Sequence, residues 1–139
     1  MKLAYIDSCI WIARVEGLPE YKKIIDETLK NLAEDGWVFC ISEVVMLEIL
    51  TKPLKENNEA LANIYRKIFE KIKILKNYSN IFRHALLITQ TENLPGMDAI
   101  HVAFADHYNC NRFISSDAHL KKLKIVSPLW INLYETPQS

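Results

Sequence analysis

The chain has 139 residues, half of them hydrophobic and 24% charged, with 17 Lys plus Arg against 17 Asp plus Glu. That composition excludes a disordered segment, and the balanced charge supplies no basic field of the kind that binds duplex DNA by phosphate neutralisation alone. The length suits a single domain over residues 1–139, and no run approaches the roughly 20 apolar residues that span a bilayer.

Taken in chain order, residues 2–7 read as a short buried strand, too short for a helix and ending in Asp7-Ser8. Cys9 to Val15 forms the first turns of a helix. Pro19 begins another, with Tyr21, Ile24, Ile25, Leu29 and Leu32 at helical spacing, and Asp35-Gly36 stops it. Trp37–Ile41 is a second buried strand, followed by Ser42 as a helix N-cap. The next helix runs from Ser42 to Lys52 and is ended by Pro53. A longer helix spans Asn58 to about Ile74 with lysines opposite its apolar face, and residues 74–78 offer a third strand. Ser79 to Glu92 is helical, Leu94-Pro95-Gly96 breaks the chain, and Asp98 to Tyr108 is a helix apolar nearly all round. Arg112–Ser115 is a strand, Asp117–Lys122 a helical turn, and Lys124–Val126 the last strand.

Helices alternating with short, all-apolar strands predict an α/β fold, a three-layer α/β/α arrangement around a short parallel sheet. In such sheets the ligand site lies beyond the carboxyl ends of the strands, where strand order reverses. Asp7 and Asp117 each follow a strand, so both fall on that edge. The helix that begins at Asp98 runs back antiparallel to the strands and starts at the same edge. Two carboxylates about 4 Å apart repel by roughly 4 kcal/mol at an effective dielectric near 20. Three acids on one rim therefore call for a cation or a proton.

Four segments in this order and spacing resemble the PIN-domain family, and within it the small VapC-type toxin ribonucleases. They are Ile6-Asp7-Ser8-Cys9-Ile10-Trp11-Ile12, Ile41-Ser42-Glu43-Val44-Val45-Met46-Leu47-Glu48-Ile49, Met97-Asp98-Ala99-Ile100-His101-Val102-Ala103 and Phe113-Ile114-Ser115-Ser116-Asp117. The resemblance implies a catalytic acidic tetrad at Asp7, Glu48, Asp98 and Asp117, with Asp7, Asp98 and Asp117 as metal ligands and Ser8 and Ser116 in support. It further implies a Mg²⁺- or Mn²⁺-dependent endoribonuclease that cleaves RNA, forms a homodimer and is held in check by an antitoxin protein. Oxygen ligands suit Mg²⁺, and no His or Cys cluster of zinc spacing competes for the role.

The residues alone leave some of this open. Glu43 lies nearer the strand end than Glu48, and five helical positions set the two about 140° apart, so both cannot face one ion. Glu43 also reads as a first-turn acid favoured by the helix dipole. Glu48 shares a face with Val44 and Val45, which turns it inward. Asp98 also has an ordinary reading as an N-cap, although the metal role is the favoured one. The chain departs from the family at His119, where many members carry a further acid, so the number of metal ions stays open. His119, Arg14 and Lys121 are candidate substrate contacts, whereas most lysine runs are simply solvated. His101 reads first as a buried histidine satisfied by a neighbour, and Trp11, Trp37 and Trp130 as core or interface. Cys9, Cys40 and Cys110 show no C-x-x-C spacing and read as small buried hydrophobes in a reduced cytoplasm. The alternative to the enzyme is a catalytically inactive PIN-like scaffold that binds RNA or protein. Phosphoryl transfer through an aspartate nucleophile needs a second acid beside Asp7, and Asp7-Ser8-Cys9 lacks one.

Overall fold

The computed structural model describes residues 1–133. Its strands β1 (Leu3–Ile6), β2 (Val38–Ser42), β3 (Lys73–Leu75), β4 (Arg112–Ser115) and β5 (Pro128–Trp130) form a sheet in the order β3-β2-β1-β4-β5. Every neighbouring pair is parallel. Helices α1 (Ser8–Glu16), α2 (Pro19–Glu34), α3 (Glu43–Lys55), α4 (Glu59–Phe69), α5 (Ile81–Glu92) and α6 (Gly96–His107) link the strands, and a 3₁₀ turn covers Ala118–Lys122. This is the three-layer α/β/α arrangement around a parallel sheet that the alternating pattern predicts.

The central strands have apolar side chains on both faces because helices cover both. Ala4, Tyr5, Ile6, Phe113 and Ile114 are wholly buried, and burying a side chain such as Ile or Phe contributes about 1.5–3 kcal/mol. The chain leaves β1 through α1 and α2 to reach β2 on one side, whereas β4 lies against the other side of β1. The reversal of strand order thus falls between β1 and β4, and their carboxyl ends form the crevice where α/β sheets take ligands.

Several boundaries differ from the sequence reading, each for a local reason. Pro53 does not end α3, which continues to Lys55 with Pro53 buried inside it. A proline in the last turn removes only its own N–H bond, and Asn57 at φ 54° then ends the helix region. Helix α4 stops at Phe69, because Lys71 N–H and Ile72 N–H bond to Ile68 and Phe69 three residues back and tighten the end. That frees Lys73 to pair with Cys40, so β3 is Lys73–Leu75 rather than 74–78. Tyr78 is drawn off the sheet onto α6, its ring stacked on His107 with centroids 3.7 Å apart.

The last strand is Pro128–Trp130, not Lys124–Val126. The Glu92 carboxylate takes the N–H groups of Lys124 and Ile125 at 2.9 and 2.7 Å, and groups occupied that way cannot join a ladder. Edge position lets β5 begin with proline. Ser42 stands at the N-cap of α3, yet its hydroxyl makes no capping bond there. Asp98 is not an N-cap either. Pro95 holds that place with φ −59° and ψ 153°, which puts Asp98 in the first turn of α6.

Candidate active site

Asp7 leaves β1 with its backbone still in the ladder, donating to Ile114 O at 2.9 Å. The register Ile6↔Ile114 therefore sets it beside Ser115. The residue is only 5% exposed, and its carboxylate is held from both sides. Oδ1 accepts the Ser8 N–H at 2.9 Å, which also caps α1. Oδ2 accepts the Ser115 hydroxyl at 2.9 Å and lies 3.5 Å from Cys9 Sγ. A buried carboxylate with this many donors is satisfied and fixed in direction.

Helix α3 starts at the carboxyl end of β2 and carries Glu48 toward the same crevice. Glu48 Oε1 accepts from Ser8 Oγ at 2.9 Å and from His101 Nε2 at 2.5 Å. Glu43 points elsewhere: it is exposed and accepts from Asn77 Nδ2 at 3.4 Å. His101, on α6, is buried with both ring nitrogens engaged. Its Nδ1 lies 2.8 Å from Tyr5 OH, which in turn lies 2.7 Å from Ser42 Oγ. His101 Nε2 is also 3.9 Å from Asp7 Oδ1.

The electrostatics of this pair follow from its surroundings. Burial works against the His101 cation, but the Glu48 hydrogen bond and the charges of Asp7, Glu48 and Asp98 outweigh it and hold the imidazole above its ordinary value. Burial likewise works against the Glu48 carboxylate, and the His101 contacts with the Ser8 bond outweigh it, leaving Glu48 below its ordinary value. Tyr5 is kept a neutral phenol, chiefly by burial.

Asp98 projects from the first turn of α6. Burial first, then the charges of Asp117 and Asp7, raise its carboxyl above the usual carboxylate range. Asp117 starts the 3₁₀ turn, its Oδ1 accepting the His119 N–H at 2.9 Å and lying 3.0 Å from His119 Nδ1. One potential ligand atom from each of Asp98, Asp117 and His119 lies within 4.8 Å of the others. The crevice thus sets carboxylates around Asp98 whose charges disfavour its own. Such a hard, anionic, partly buried donor set fits a divalent cation.

The remaining predicted residues fall as follows. Ser8 faces Glu48. Ser116 turns its hydroxyl to Cys9 Sγ at 3.2 Å, and the serine that steadies the acids is Ser115, which also accepts the Asp117 N–H at 3.0 Å. Arg14 is held by Asp26 at 2.5 Å, and α1 carries it about 10 Å along its axis from Asp7. Lys121 sets its ammonium 3.9 Å from the Trp130 ring centroid. The sequence reading missed Ser115, Tyr5 and Ser42. Only the Tyr5/Asp7 alternation along β1 hinted at one of them, since residues two apart share a face.

A family model described as the PIN domain matches residues 4–126. This chain belongs to the PIN-domain family. Among curated proteins no sequence matches it significantly. In fold, this PIN domain is similar to the structure of VapBC2 from Rickettsia felis bound to a promoter DNA fragment. The match has TM-score 0.71 and 13% identity, and covers 91% of this chain and 97% of that one. It is similar to VapBC-1 from nontypeable Haemophilus influenzae, with TM-score 0.74, 16% identity and coverage of 92% and 97%. A toxin–antitoxin complex from Klebsiella pneumoniae matches with TM-score 0.67, 20% identity and coverage of 88% and 94%. Among the described residues, no helix of this PIN domain is long and apolar enough to cross a membrane.

Proposed function

We propose that this PIN domain is a divalent-metal-dependent endoribonuclease, the toxin of a type II toxin–antitoxin pair. The observation that carries the reading is the Asp98, Asp117 and His119 group within 4.8 Å, in the crevice where strand order reverses. Asp7 is near enough for its charge to raise Asp98, and Glu48 is joined to Asp7 through Ser8 and His101. Asp7, Asp98 and Asp117 would hold the ion, Mg²⁺ or Mn²⁺. Bound there, such an ion supplies a water of lowered pKa and charge stabilisation for the leaving oxygen of a phosphodiester.

The chain's own groups do the positioning. Ser8 and Ser115 fix the Asp7 carboxylate by hydrogen bonds, so it needs no reorganisation on binding. Glu48 is anchored by His101 and Ser8 and is available as an acceptor for a water proton at the crevice wall. Lys121, steadied over Trp130, supplies a cation for backbone phosphate. The pairing of Arg14 with Asp26 makes it a poorer candidate for that task.

Two partner assignments go with the enzyme. The antitoxin is supported by likeness in fold to a chain solved in a toxin–antitoxin complex from Klebsiella pneumoniae. A homodimer is supported by the exposed Leu47, Phe82, Leu86 and Met97 on α3, α5 and α6, since apolar side chains grouped in this way mark an interaction face. Light scattering of the purified chain should give twice the monomer mass, and Phe82→Glu should restore the monomer.

The deciding experiment is cleavage of labelled single-stranded RNA by the partner-free protein with Mn²⁺, comparing wild type with Asp7→Asn. Metal-dependent cutting that vanishes in the variant supports the nuclease. Equal cutting by both proteins refutes the assignment of Asp7.

A further inference from the structure

Resting on the reading that the crevice holds a divalent cation, a further question is which cation this donor set prefers. The residue that bears on it is His119. Its backbone N–H donates to Asp117 Oδ1 at 2.9 Å, which fixes the start of the 3₁₀ turn. That constraint folds the imidazole back over the same carboxylate, with Nδ1 3.0 Å from Oδ1. The side chain is 75% exposed, so no packing prevents the ring from turning toward an ion. Ligand atoms about 2.1 Å from an octahedral ion stand about 3.0 Å apart along a cis edge, so the observed pair already has the separation that a shared ion requires. Asp98 completes the group within 4.8 Å.

His101 does not compete for this role. Both of its ring nitrogens are engaged, by Tyr5 and by Glu48. His119 has a single ring contact among the described residues, and that contact is to the Asp117 carboxylate. An imidazole in place of a carboxylate removes one negative charge and adds a softer nitrogen. Mg²⁺ depends on hard oxygen donors and charge, whereas first-row transition ions accept imidazole readily.

We propose that His119 supplies a nitrogen ligand to the ion held by Asp98 and Asp117, and that the site thereby selects a first-row transition ion such as Mn²⁺ over Mg²⁺. The test strips the full chain with chelator and follows Mn²⁺ binding by loss of the free-ion electron paramagnetic resonance signal, with Mg²⁺ as competitor. Electron spin-echo modulation of the bound ion then reads directly coordinated ¹⁴N. Wild type should show the nitrogen modulation, and His119→Gln should lose it while still binding Mn²⁺ through its carboxylates. In His119→Asp the Mn²⁺/Mg²⁺ affinity ratio should fall by about tenfold, the lower end of what altered groups around a metal produce. Because His119 is exposed, both variants should fold, and circular dichroism checks it. Bound Mn²⁺ without nitrogen modulation in wild type, or modulation that persists in His119→Gln, overturns the proposal and leaves the cation site standing. Failure of wild type to bind either ion at millimolar concentration overturns the cation reading itself, and this inference with it.

Discussion

Asp98→Asn should stabilise the metal-free protein, although it removes an acid from a favourable helix position. Ligand oxygens of Asp98 and Asp117 lie no more than 4.8 Å apart, and burial together with the charges of Asp117 and Asp7 holds the Asp98 carboxyl above its usual range. At that separation two full charges repel by about 3.5 kcal/mol at an effective dielectric of 20 and about 0.9 kcal/mol in bulk water. The group is half-buried, so screening leaves about 2 kcal/mol. Against this, an acid in the first turn of α6 gains about 0.5 kcal/mol from the helix dipole, which the amide forfeits. The net is about 1.5 kcal/mol, and a domain of this size shifts its melting point by about 4 °C per kcal/mol. Thermal unfolding in EDTA should therefore show the variant about 6 °C above wild type. Millimolar Mn²⁺ should narrow or reverse the gap, because the ion binds only the native state and binds wild type better. A variant that melts at or below wild type in chelator would mean that these carboxylates do not press on one another, and the case for a cation there would fail.

Three other outcomes follow from the same geometry. Glu48→Gln should abolish RNA cleavage and Glu43→Gln should leave it intact, because only Glu48 reaches His101 and Ser8; equal loss in a cleavage assay would contradict the placement. In chelator, His101 contributes stability that is fully present below its ordinary value of 6.5 and lost as pH rises through its higher folded value. Glu48 contributes stability that is present above its ordinary 4.5 and lost as pH falls through its lower folded value. The urea midpoint of wild type should thus decline as pH rises above His101's ordinary value of 6.5, and the same decline in Glu48→Gln would refute the pairing. Tyr5→Phe should cost about 1–3 kcal/mol in urea titrations, since it leaves His101 Nδ1 and Ser42 Oγ without their partner inside the core; a cost below 0.5 kcal/mol, on the same order-of-magnitude scale, would show the bonds to be unimportant.

The parts of the site legible in the sequence are those fixed by local chain geometry. Asp7 and Asp117 end apolar strands, and a parallel sheet sends all such ends to one edge. The choice between Glu43 and Glu48 rested on the face Glu48 shares with Val44 and Val45 together with resemblance, because a helix that begins at the rim brings both acids near it. What escaped was register. Ser115 rather than Ser116 meets Asp7 because Ile6 pairs with Ile114, and a slip of one residue would exchange the two serines between faces. Tyr5 sits in a run that reads as pure core, and its hydroxyl finds His101 across 96 residues of sequence. The misplaced last strand has the same origin, since Glu92 takes the backbone of Lys124 and Ile125 from 32 and 33 residues away. Periodicity carries no information about such distant partners.

Glu48 is tied to the sheet twice. Through the backbone it descends from Ser42 along α3, and through hydrogen bonds it returns to Ser42 by way of His101 and Tyr5. The two routes close a ring that joins β1, α3 and α6 beneath the crevice. A ring of this kind shares out any displacement: a push on the Glu48 carboxylate is felt at the root of its own helix. It also restricts how the chain can vary. No one of Ser42, Glu48, Tyr5 and His101 can be exchanged without stranding a buried polar neighbour, so in descendants of this sequence the four should be inherited as a set or lost as a set.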